Sequence, residues 1–264
     1  MEAKKIIITG AATRIGSAIA KSLVNFQTKI GIHYNKSKSS ALKLKKELEE
    51  LGAEAYLFKA DLNNFKQTQI LIKKAYKTMK GLDCLINNAS IFENDNLENF
   101  SEKSFSKHMN INLKAPAILT QSFKKLVKNK EGCIINIIDQ RVEKLTPFFF
   151  SYTLSKSSLA TFTKTSAMKL APNIRVNGIS PGPTLKNKRQ SEKHFKKQWK
   201  STLLKKKVDL DNICNGVKFF VKIAGAFKLI FICFVKDFSE KFSRLSFSKI
   251  DALLIKQSNP FIVL

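Results

Sequence analysis

KIIITGAATRIG, at residues 5–16, is the stretch that decides how this chain folds. Its β-branched run ends at Gly10, and apolar side chains then recur with helical spacing from residue 15 to residue 24. The pattern predicts a strand, a tight turn and a helix. Gly10 and Gly16 permit the turn and close packing of the helix, whose first backbone amides are free to bind a pyrophosphate. A pair of glycines is also compatible with a turn that binds nothing.

Arg14 narrows the interpretation of that turn. It lies at the predicted start of the helix, where the positive end of the helix dipole repels a guanidinium unless an anion is bound there. We therefore predict that Gly10, Arg14, Ile15 and Gly16 contact the phosphate groups of a nucleotide cofactor.

The alternation of strand and helix continues beyond the first turn. Further strands are predicted at residues 29–34, 54–58, 84–86, 133–138 and 174–179, and further helices at residues 39–51, 65–79, 105–126, 151–170 and 209–220. Such alternation implies right-handed crossovers and a parallel sheet. The sequence thus predicts an α/β fold, a Rossmann-like doubly wound parallel sheet flanked by helices on both faces, in a single domain spanning residues 1–264.

The composition is that of a globular protein with an unusual charge. The chain has 264 residues, 44% of them hydrophobic and 25% charged, which is enough for one well-buried domain. Its net charge of +27 raises nucleic acid as a partner, but 42 of the 47 basic residues are lysines, scattered through almost every segment. We therefore expect no nucleic-acid partner.

The cysteines and histidines indicate neither a metal site nor a disulfide framework. The four cysteines show no C-x-x-C spacing, and the three histidines are separated from them and from one another. Buried thiols in a reducing, cytoplasmic compartment are expected. A strand-like run begins within a few residues of Met1 and leaves no room for a signal peptide, and no membrane association is expected.

The end of the second predicted strand bears on the choice of cofactor. Proteins that bind NAD usually present Asp or Glu to the ribose hydroxyls at this point, whereas this chain reads His33, Tyr34, Asn35, Lys36 and Ser37. Lys36 would attract a 2′-phosphate, and Asn35 and Ser37 supply hydrogen-bond donors. These five residues are predicted to bind NADP(H), although an exposed lysine-rich loop without a ligand has the same composition.

Two more strand ends carry candidate cofactor residues. Asp61 and Leu62 follow the third strand, where a carboxylate fits the adenine amine as an acceptor. Asn88, Ala89 and Ser90 follow the fourth strand, and small residues there would let the backbone approach the cofactor closely.

Tyr152 and Lys156 form a candidate catalytic pair. They lie four residues apart in a predicted helix, so they share a face, and the ammonium is expected to lower the pKa of the phenol. Asp139 lies thirteen residues upstream of the tyrosine, at the end of an apolar run. The arrangement indicates acid catalysis, but the spacing by itself is weak in a lysine-rich chain.

Taken in order, these motifs resemble the short-chain dehydrogenase/reductase family over roughly residues 5–220. The shared features are the T-G-x-x-x-x-x-G turn, N-N-A after the fourth strand, Asn112 in a long helix, Y-x-x-x-K, and Pro181-Gly182 after the sixth strand. The resemblance implies that Tyr152 protonates the substrate, that Lys156 binds the nicotinamide ribose, and that Asn112 helps to hold a water relay. It also places Pro181 and Gly182 at the cofactor.

Two departures from the common family pattern resemble the pteridine reductase branch, which includes bacterial dihydromonapterin reductases. Asp139 stands where most members have Ser, and Arg14 stands where most have glycine. In that branch Ser and Phe hold the pterin at the places of Ser90 and Phe92. The resemblance therefore implies an NADPH-dependent reductase of a pterin C=N bond, with Arg14, Ser90, Phe92, Asp139 and Tyr152 at the substrate.

Other interpretations of the same residues remain open. Phe92 is also compatible with a core or lid aromatic, and Asp139 with a capping residue; Gln140 and Arg141 have no assigned role. A reductase of a carbonyl substrate, such as a 3-oxoacyl carrier, shares the fold and the cofactor. A non-catalytic NADP-binding relic is the third possibility.

The last third of the chain is less regular. Residues 185–207 contain ten lysines and arginines around Phe195 and Trp199, which is typical of a basic substrate lid or of a solvated amphipathic helix. Residues 221–264 lack the glycine-rich turn expected after a final strand. A frame-shifted gene is the favoured explanation and a divergent terminus the alternative; a membrane-associating segment is disfavoured, because Lys222 and Lys228 interrupt an apolar stretch far shorter than the roughly 20 residues that a span needs. The family resemblance implies a homotetramer if the C-terminus is intact.

Overall fold

Eight short runs of residues form one parallel sheet. The computed structural model describes residues 4–24, 28–128, 130–187, 190–202, 205–222, 230–235 and 261–263. The strands are β1 Lys5–Ile8, β2 Lys29–Tyr34, β3 Glu54–Lys59, β4 Cys84–Asn87, β5 Gly132–Ile137, β6 Ile174–Pro181, β7 Ile230–Val235 and β8 Phe261–Val263. Their order across the sheet is β3-β2-β1-β4-β5-β6-β7-β8, and each neighbouring pair is parallel.

Helices cover both faces of this sheet. They are α1 Arg14–Ser22, α2 Lys38–Glu50, α3 Phe65–Thr78, α4 Glu102–Met109, α5 Ala115–Val127, α6 Phe150–Leu170, α7 Glu192–Lys200 and α8 Leu210–Lys222. Successive side chains of a strand point to opposite faces, so Ile6 and Ile8 pack in one core with α1, α2 and α8, whereas Ile7 packs in a second core with α3 and α5. The predicted doubly wound fold is confirmed.

One predicted helix is interrupted. The sequence pattern predicts a single helix over residues 105–126, but the structure has α4, a π-helical segment at Asn110–Lys114, and then α5. The residue four positions after Asn112 is Pro116, which has no N–H to donate to the Asn112 carbonyl. The wider turn follows from this missing donor, and it places Asn112 where the helix is widened.

The C-terminal segment extends the sheet. β7 pairs with β6, and β8 pairs with β7, at the edge remote from β3. Residues 223–229 and 236–260 lie outside the described residues, and the frameshift hypothesis stays a prediction. Within the described residues, no helix is both long and apolar enough to cross a lipid bilayer, and no group of three or more His, Cys, Asp or Glu residues there could hold a metal ion.

Candidate active site

The turn between β1 and α1 is built around glycines. Gly10 has φ of +61°, and a β-carbon there would meet the Ala89 Cα at 3.0 Å. At Gly16 a β-carbon would collide with the Gly10 carbonyl oxygen, lie 2.7 Å from Asn88 Nδ2, and lie 2.9 Å from the Ala11 Cα. The start of α1 can therefore approach the turn and the end of β4 only because residue 16 has no side chain.

Gly16→Ala is expected to lower the free energy of unfolding by about 1–3 kcal/mol, because backbone atoms surround the added methyl group. It should also weaken NADPH binding, since α1 would shift away from the turn. Gly216→Ala is the matched control: this second helical glycine, in α8, leaves 3.5 Å to its nearest neighbour, Ile179 Cδ1. Chemical denaturation and NADPH fluorescence titration measure both effects, and equal responses of the two variants would contradict the prediction.

The buried side chain of His33 is hydrogen-bonded to this turn. Its Nδ1 accepts a hydrogen bond from the Gly10 backbone N–H at 3.0 Å, so the ring hydrogen is on Nε2, which donates to the Ala60 carbonyl at 3.1 Å. The ring is 2% exposed, and burial lowers the pKa of His33 to about 4. His33 is therefore neutral near pH 7, and both ring nitrogens are used within the protein rather than offered to a ligand.

The end of β2 is open to solvent. Asn35, Lys36 and Ser37 are exposed there, while Tyr34 is buried. At the adjacent end of β3, Asp61 Oδ1 accepts from the Asn63 backbone N–H at 2.9 Å, and Leu62 is buried. Of the five residues predicted to bind the 2′-phosphate side of the cofactor, Asn35, Lys36 and Ser37 are accessible, whereas His33 and Tyr34 are buried.

Arg14 links the first turn to the segment after β6. Its backbone has φ of +56°, and its guanidinium donates to the carbonyl oxygens of Lys186 and Leu185 at 3.1 and 3.3 Å. Ile15 packs against the core beside it. The guanidinium thus bridges the turn between β1 and α1 and the loop that leads to α7.

Pro181 and Gly182 border the site at the end of β6. Pro181 is buried as the last residue of the strand. A β-carbon on Gly182 would lie 2.9 Å from Val208 Cγ2 and 3.7 Å from Gln140 Oε1. Gln140, which had no predicted role, therefore lies near this strand end.

Thr9 and Asn88 tie the ends of β1 and β4 together. Thr9 Oγ1 accepts from the backbone N–H groups of Asn88 and Ala89 at 2.9 and 3.0 Å. Asn88 Nδ2 in turn donates to the carbonyls of Thr9 and Gly10 at 2.9 and 3.2 Å. Asn88 thus shapes the turn from the side, and its amide is occupied by the backbone.

Asn112 fixes the loop that leaves β4. Its Oδ1 accepts from the Ile91 N–H at 2.9 Å and from Ser90 Oγ at 3.1 Å. Its Nδ2 donates to the Ile91 carbonyl at 3.1 Å and to Ser155 Oγ at 3.0 Å. Both ends of the buried amide are therefore engaged, and Asn112 joins this loop to α6.

Asp139, Tyr152 and Lys156 come together beyond the end of β5. The Tyr152 hydroxyl donates to Asp139 Oδ2 at 2.7 Å, and Asp139 Oδ1 accepts from the Arg141 N–H at 2.8 Å. Lys156 Nζ donates to the Ile137 carbonyl at 2.8 Å and lies 5.8 Å from the centre of the Tyr152 ring. The predicted carboxylate, phenol and ammonium thus form one cluster.

The electrostatics of this cluster differ from the prediction. Burial, and then the charge and hydrogen bond of Asp139, raise the pKa of Tyr152 well above its usual value, and Arg141 and Ser90 only partly oppose them. Burial also lowers the pKa of Lys156 to about 8, against the opposing charge of Asp139. We expected the pKa of the Tyr152 phenol to be lowered by the lysine, but the pKa is raised, so that expectation is wrong. Tyr152 stays protonated near pH 7 and can act as a proton donor.

An aromatic pair covers the tyrosine. The Phe92 ring stacks on the Phe149 ring with centres 4.2 Å apart, and it meets the Tyr152 ring at 4.6 Å and a steep angle. The Arg141 Cζ lies 4.6 Å from the Phe149 centre and 5.7 Å from the Phe92 centre. The cation is therefore close to both rings, and its Nη1 donates to Thr146 Oγ1 at 2.9 Å.

Phe149 and Arg141 are site residues that sequence reasoning did not assign. The only local signal was Arg141 directly after the Asp139-Gln140 pair, because Phe149 lies in a run of three phenylalanines without helical or strand periodicity. Phe149 adopts φ of +60°, and this left-handed turn lets its ring reach Phe92.

Comparisons with known proteins agree with this geometry. Residues 4–198 match the family model described as short chain dehydrogenase. An uncharacterized oxidoreductase of Methylorubrum extorquens is 31% identical over 183 residues, which cover 69% of this chain and 73% of the relative. The crystal structure of FolM alternative dihydrofolate reductase 1 from Brucella canis, complexed with NADP, is similar with a TM-score of 0.80 and 35% identity, covering 86% of this chain and 90% of that one.

The protein from Brucella suis with the same name, also in complex with NADP, has a TM-score of 0.80 and 35% identity and covers 86% of this chain and 92% of its own. The family match spans the phosphate turn, the Asp139–Tyr152–Lys156 cluster and the strand ends that carry them. The chain therefore belongs to the short-chain dehydrogenase family of oxidoreductases.

Proposed function

We propose that this protein is an NADPH-dependent reductase that transfers hydride to a C=N bond of a pterin. The observation that carries the proposal is the 2.7 Å hydrogen bond between the Tyr152 hydroxyl and Asp139 Oδ2. A carboxylate beside the phenol, where most family members have serine, suits a reaction that must protonate a ring nitrogen.

The residues around the first turn fit a dinucleotide. The glycines leave space that a β-carbon would fill, and the start of α1 offers amides to a pyrophosphate. No carboxylate stands among the exposed residues Asn35, Lys36 and Ser37, where a 2′-hydroxyl would need one and a 2′-phosphate would be repelled by one. These features favour NADP(H) over NAD, and the bound cofactor would supply the hydride.

Tyr152 and Asp139 would supply the proton. The raised pKa of Tyr152 keeps its hydroxyl protonated, and the hydrogen bond to Asp139 holds the phenol oxygen in place. The hydroxyl would turn from Asp139 to the substrate nitrogen to transfer its proton, and the resulting phenolate would then be reprotonated. Asp139 is only partly buried, so its carboxylate would relay a proton from solvent to the Tyr152 phenolate after each turnover. Lys156 holds a positive charge below a pH of about 8 and would bind ribose hydroxyls.

The substrate side has the components that a flat heterocycle requires. Phe92 is 38% exposed although one face of its ring stacks on Phe149, and an aromatic ring is suited to stacking on a flat heterocycle. Ser90, two residues before Phe92 in the chain, is exposed, and so is Arg14 at the start of α1, whose guanidinium donates to the carbonyls of Leu185 and Lys186. The similarity to two proteins named alternative dihydrofolate reductase supports a substrate of the pterin class.

The segment around α7 is proposed as a basic lid. Phe195 is buried and anchors α7, whereas Lys193, Lys196 and Lys197 on the same helix are exposed. Lys144, in the segment that follows Asp139, donates to the Ser201 carbonyl at 3.1 Å. A lid with this charge would attract an anionic pterin derivative.

A substrate panel tests the proposed function. We expect the purified protein to oxidise NADPH, in preference to NADH, when dihydropterin or dihydrobiopterin is added. A 3-oxoacyl thioester and a simple ketone are the competing substrates. Oxidation of NADPH with either of these but not with the dihydropterins would overturn the proposal, and NADPH binding without turnover of any substrate would indicate a non-catalytic protein.

A further inference from the structure

The catalytic helix α6 begins without a cap of its own. The residue before it, Phe149, has no side-chain acceptor, and the first turn contains no acidic residue. The Thr153 N–H bonds to the Phe149 carbonyl at 2.8 Å. The N–H groups of Phe150 and Ser151, directly before Tyr152, must therefore find acceptors elsewhere.

Asp95 supplies both acceptors from another part of the chain. Its backbone carbonyl accepts from the Phe150 N–H at 3.2 Å, and its Oδ1 accepts from the Ser151 N–H at 3.0 Å. Its Oδ2 accepts from Ser104 Oγ at 3.2 Å. Asp95 is 5% exposed, and its carboxylate lies at the positive end of the α6 dipole.

The loop that carries Asp95 also carries Phe92. Ile91 is held through its N–H and its carbonyl by Asn112. The Glu93 N–H donates to His108 Nε2 at 3.3 Å, so the other ring nitrogen of His108 carries the hydrogen and donates to the Ser104 carbonyl. Alternate residues of this loop are thus fixed, and the Phe92 ring between them contacts Tyr152.

We propose that Asp95 is a positioning residue that holds Tyr152 in register with Phe92. It acts through the amides of Phe150 and Ser151 and touches neither substrate nor cofactor. This proposal depends on the proposed function in one respect only, which is the choice of dihydropterin as the substrate in the activity test. Displacements of about 1 Å in a proton donor can cost roughly 100-fold in rate, so the loss of this contact should be visible in turnover.

Asp95→Ala and Asp95→Asn form the test pair. Asparagine can accept from Ser151 through its carbonyl oxygen and donate to Ser104 through its amide, so it should retain most activity, whereas alanine should lower kcat/KM for dihydropterin about 100-fold. The dissociation constant for NADPH should not change in either. Asp83→Ala is the control, because Asp83 Oδ2 also accepts a backbone N–H, from Lys5 at 2.7 Å, but does so at the start of β1 and β4, at the opposite ends of the strands from the candidate site.

Hydrogen exchange provides a readout that needs no substrate. In Asp95→Ala the peptides covering residues 91–95 and 150–156 should exchange faster together, while peptides from β1 and β4 stay protected; Asp83→Ala should show the reverse. This arm holds even if the wild type reduces no pterin. Asp95→Ala with wild-type kcat/KM, or with exchange accelerated equally throughout the protein, would overturn the proposal and leave Asp95 a general contributor to stability.

Discussion

Tyr152→Phe is expected to lower kcat for dihydropterin reduction by about 10²–10⁴-fold, the usual contribution of a general acid. The phenylalanine keeps the ring that packs against Phe92 but removes the hydroxyl that donates to Asp139. The high pKa of Tyr152 makes this hydroxyl the protonated donor near pH 7. Because the phosphate turn is untouched, the NADPH dissociation constant should stay at the wild-type value.

Stopped-flow measurement of a single turnover separates this loss from slow product release. Tyr56→Phe is the control, since the Tyr56 hydroxyl also donates to a carboxylate, Glu54 Oε2 at 2.6 Å, but lies on β3. The control should turn over like the wild type. Wild-type kcat in Tyr152→Phe would show that another group donates the proton.

Asp139→Ala is expected to produce the second large loss, about 100-fold in kcat with dihydropterin. The charge and the hydrogen bond of Asp139 both raise the pKa of Tyr152, so removing the carboxylate should lower that pKa. The protonated phenol is the active form for reduction. Asp139 also raises the pKa of Lys156, which at about 8 is the first of the two groups to titrate, so the alkaline decline of kcat/KM should begin at lower pH in this variant than in the wild type.

Asp139→Ser distinguishes the two contributions of the carboxylate. Serine retains a hydrogen-bond partner for Tyr152 but has neither the charge nor the carboxylate that would relay a proton, so pterin reduction should stay low even though the tyrosine is oriented. Ultraviolet titration of tyrosine ionisation, with Tyr152→Phe to assign the signal, reports the pKa directly. A Tyr152 pKa that is unchanged in Asp139→Ala, together with full activity, would contradict a catalytic role for the carboxylate.

The sheet could be predicted because its strands are buried runs with clear ends. The predicted bounds of the strand at residues 29–34 agree with those of β2 in the structure. The bounds of the other predicted strands through residue 179 differ from the observed ones by one or two residues. The interruption at Asn110–Lys114 was missed, because the wider turn joins two helical segments, α4 and α5, without a break in the chain between them. Pro116 was the available signal, since it removes the donor for the Asn112 carbonyl.

Some residues of the candidate site could likewise be predicted from the sequence, and others could not. Residues directly after strands, including Asp139, could be located because parallel strands end at a common edge. Asp95 could not be linked to α6, because it lies 56 residues before Ser151 and their contact depends on tertiary packing. The direction in which the pKa of Tyr152 shifts could not be predicted without the fold either, because burial is the largest cause of that shift.

The ring of His33 has a consequence for engineering and for natural variation. His33 lies on β2 and bonds to Gly10 after β1 and to Ala60 after β3. One side chain therefore fixes the relative positions of the loops that follow β1, β2 and β3. An insertion in any one of them displaces a partner of the other two. Exchanging cofactor preference with a relative should therefore succeed when the three loops are grafted as a set, and not one at a time.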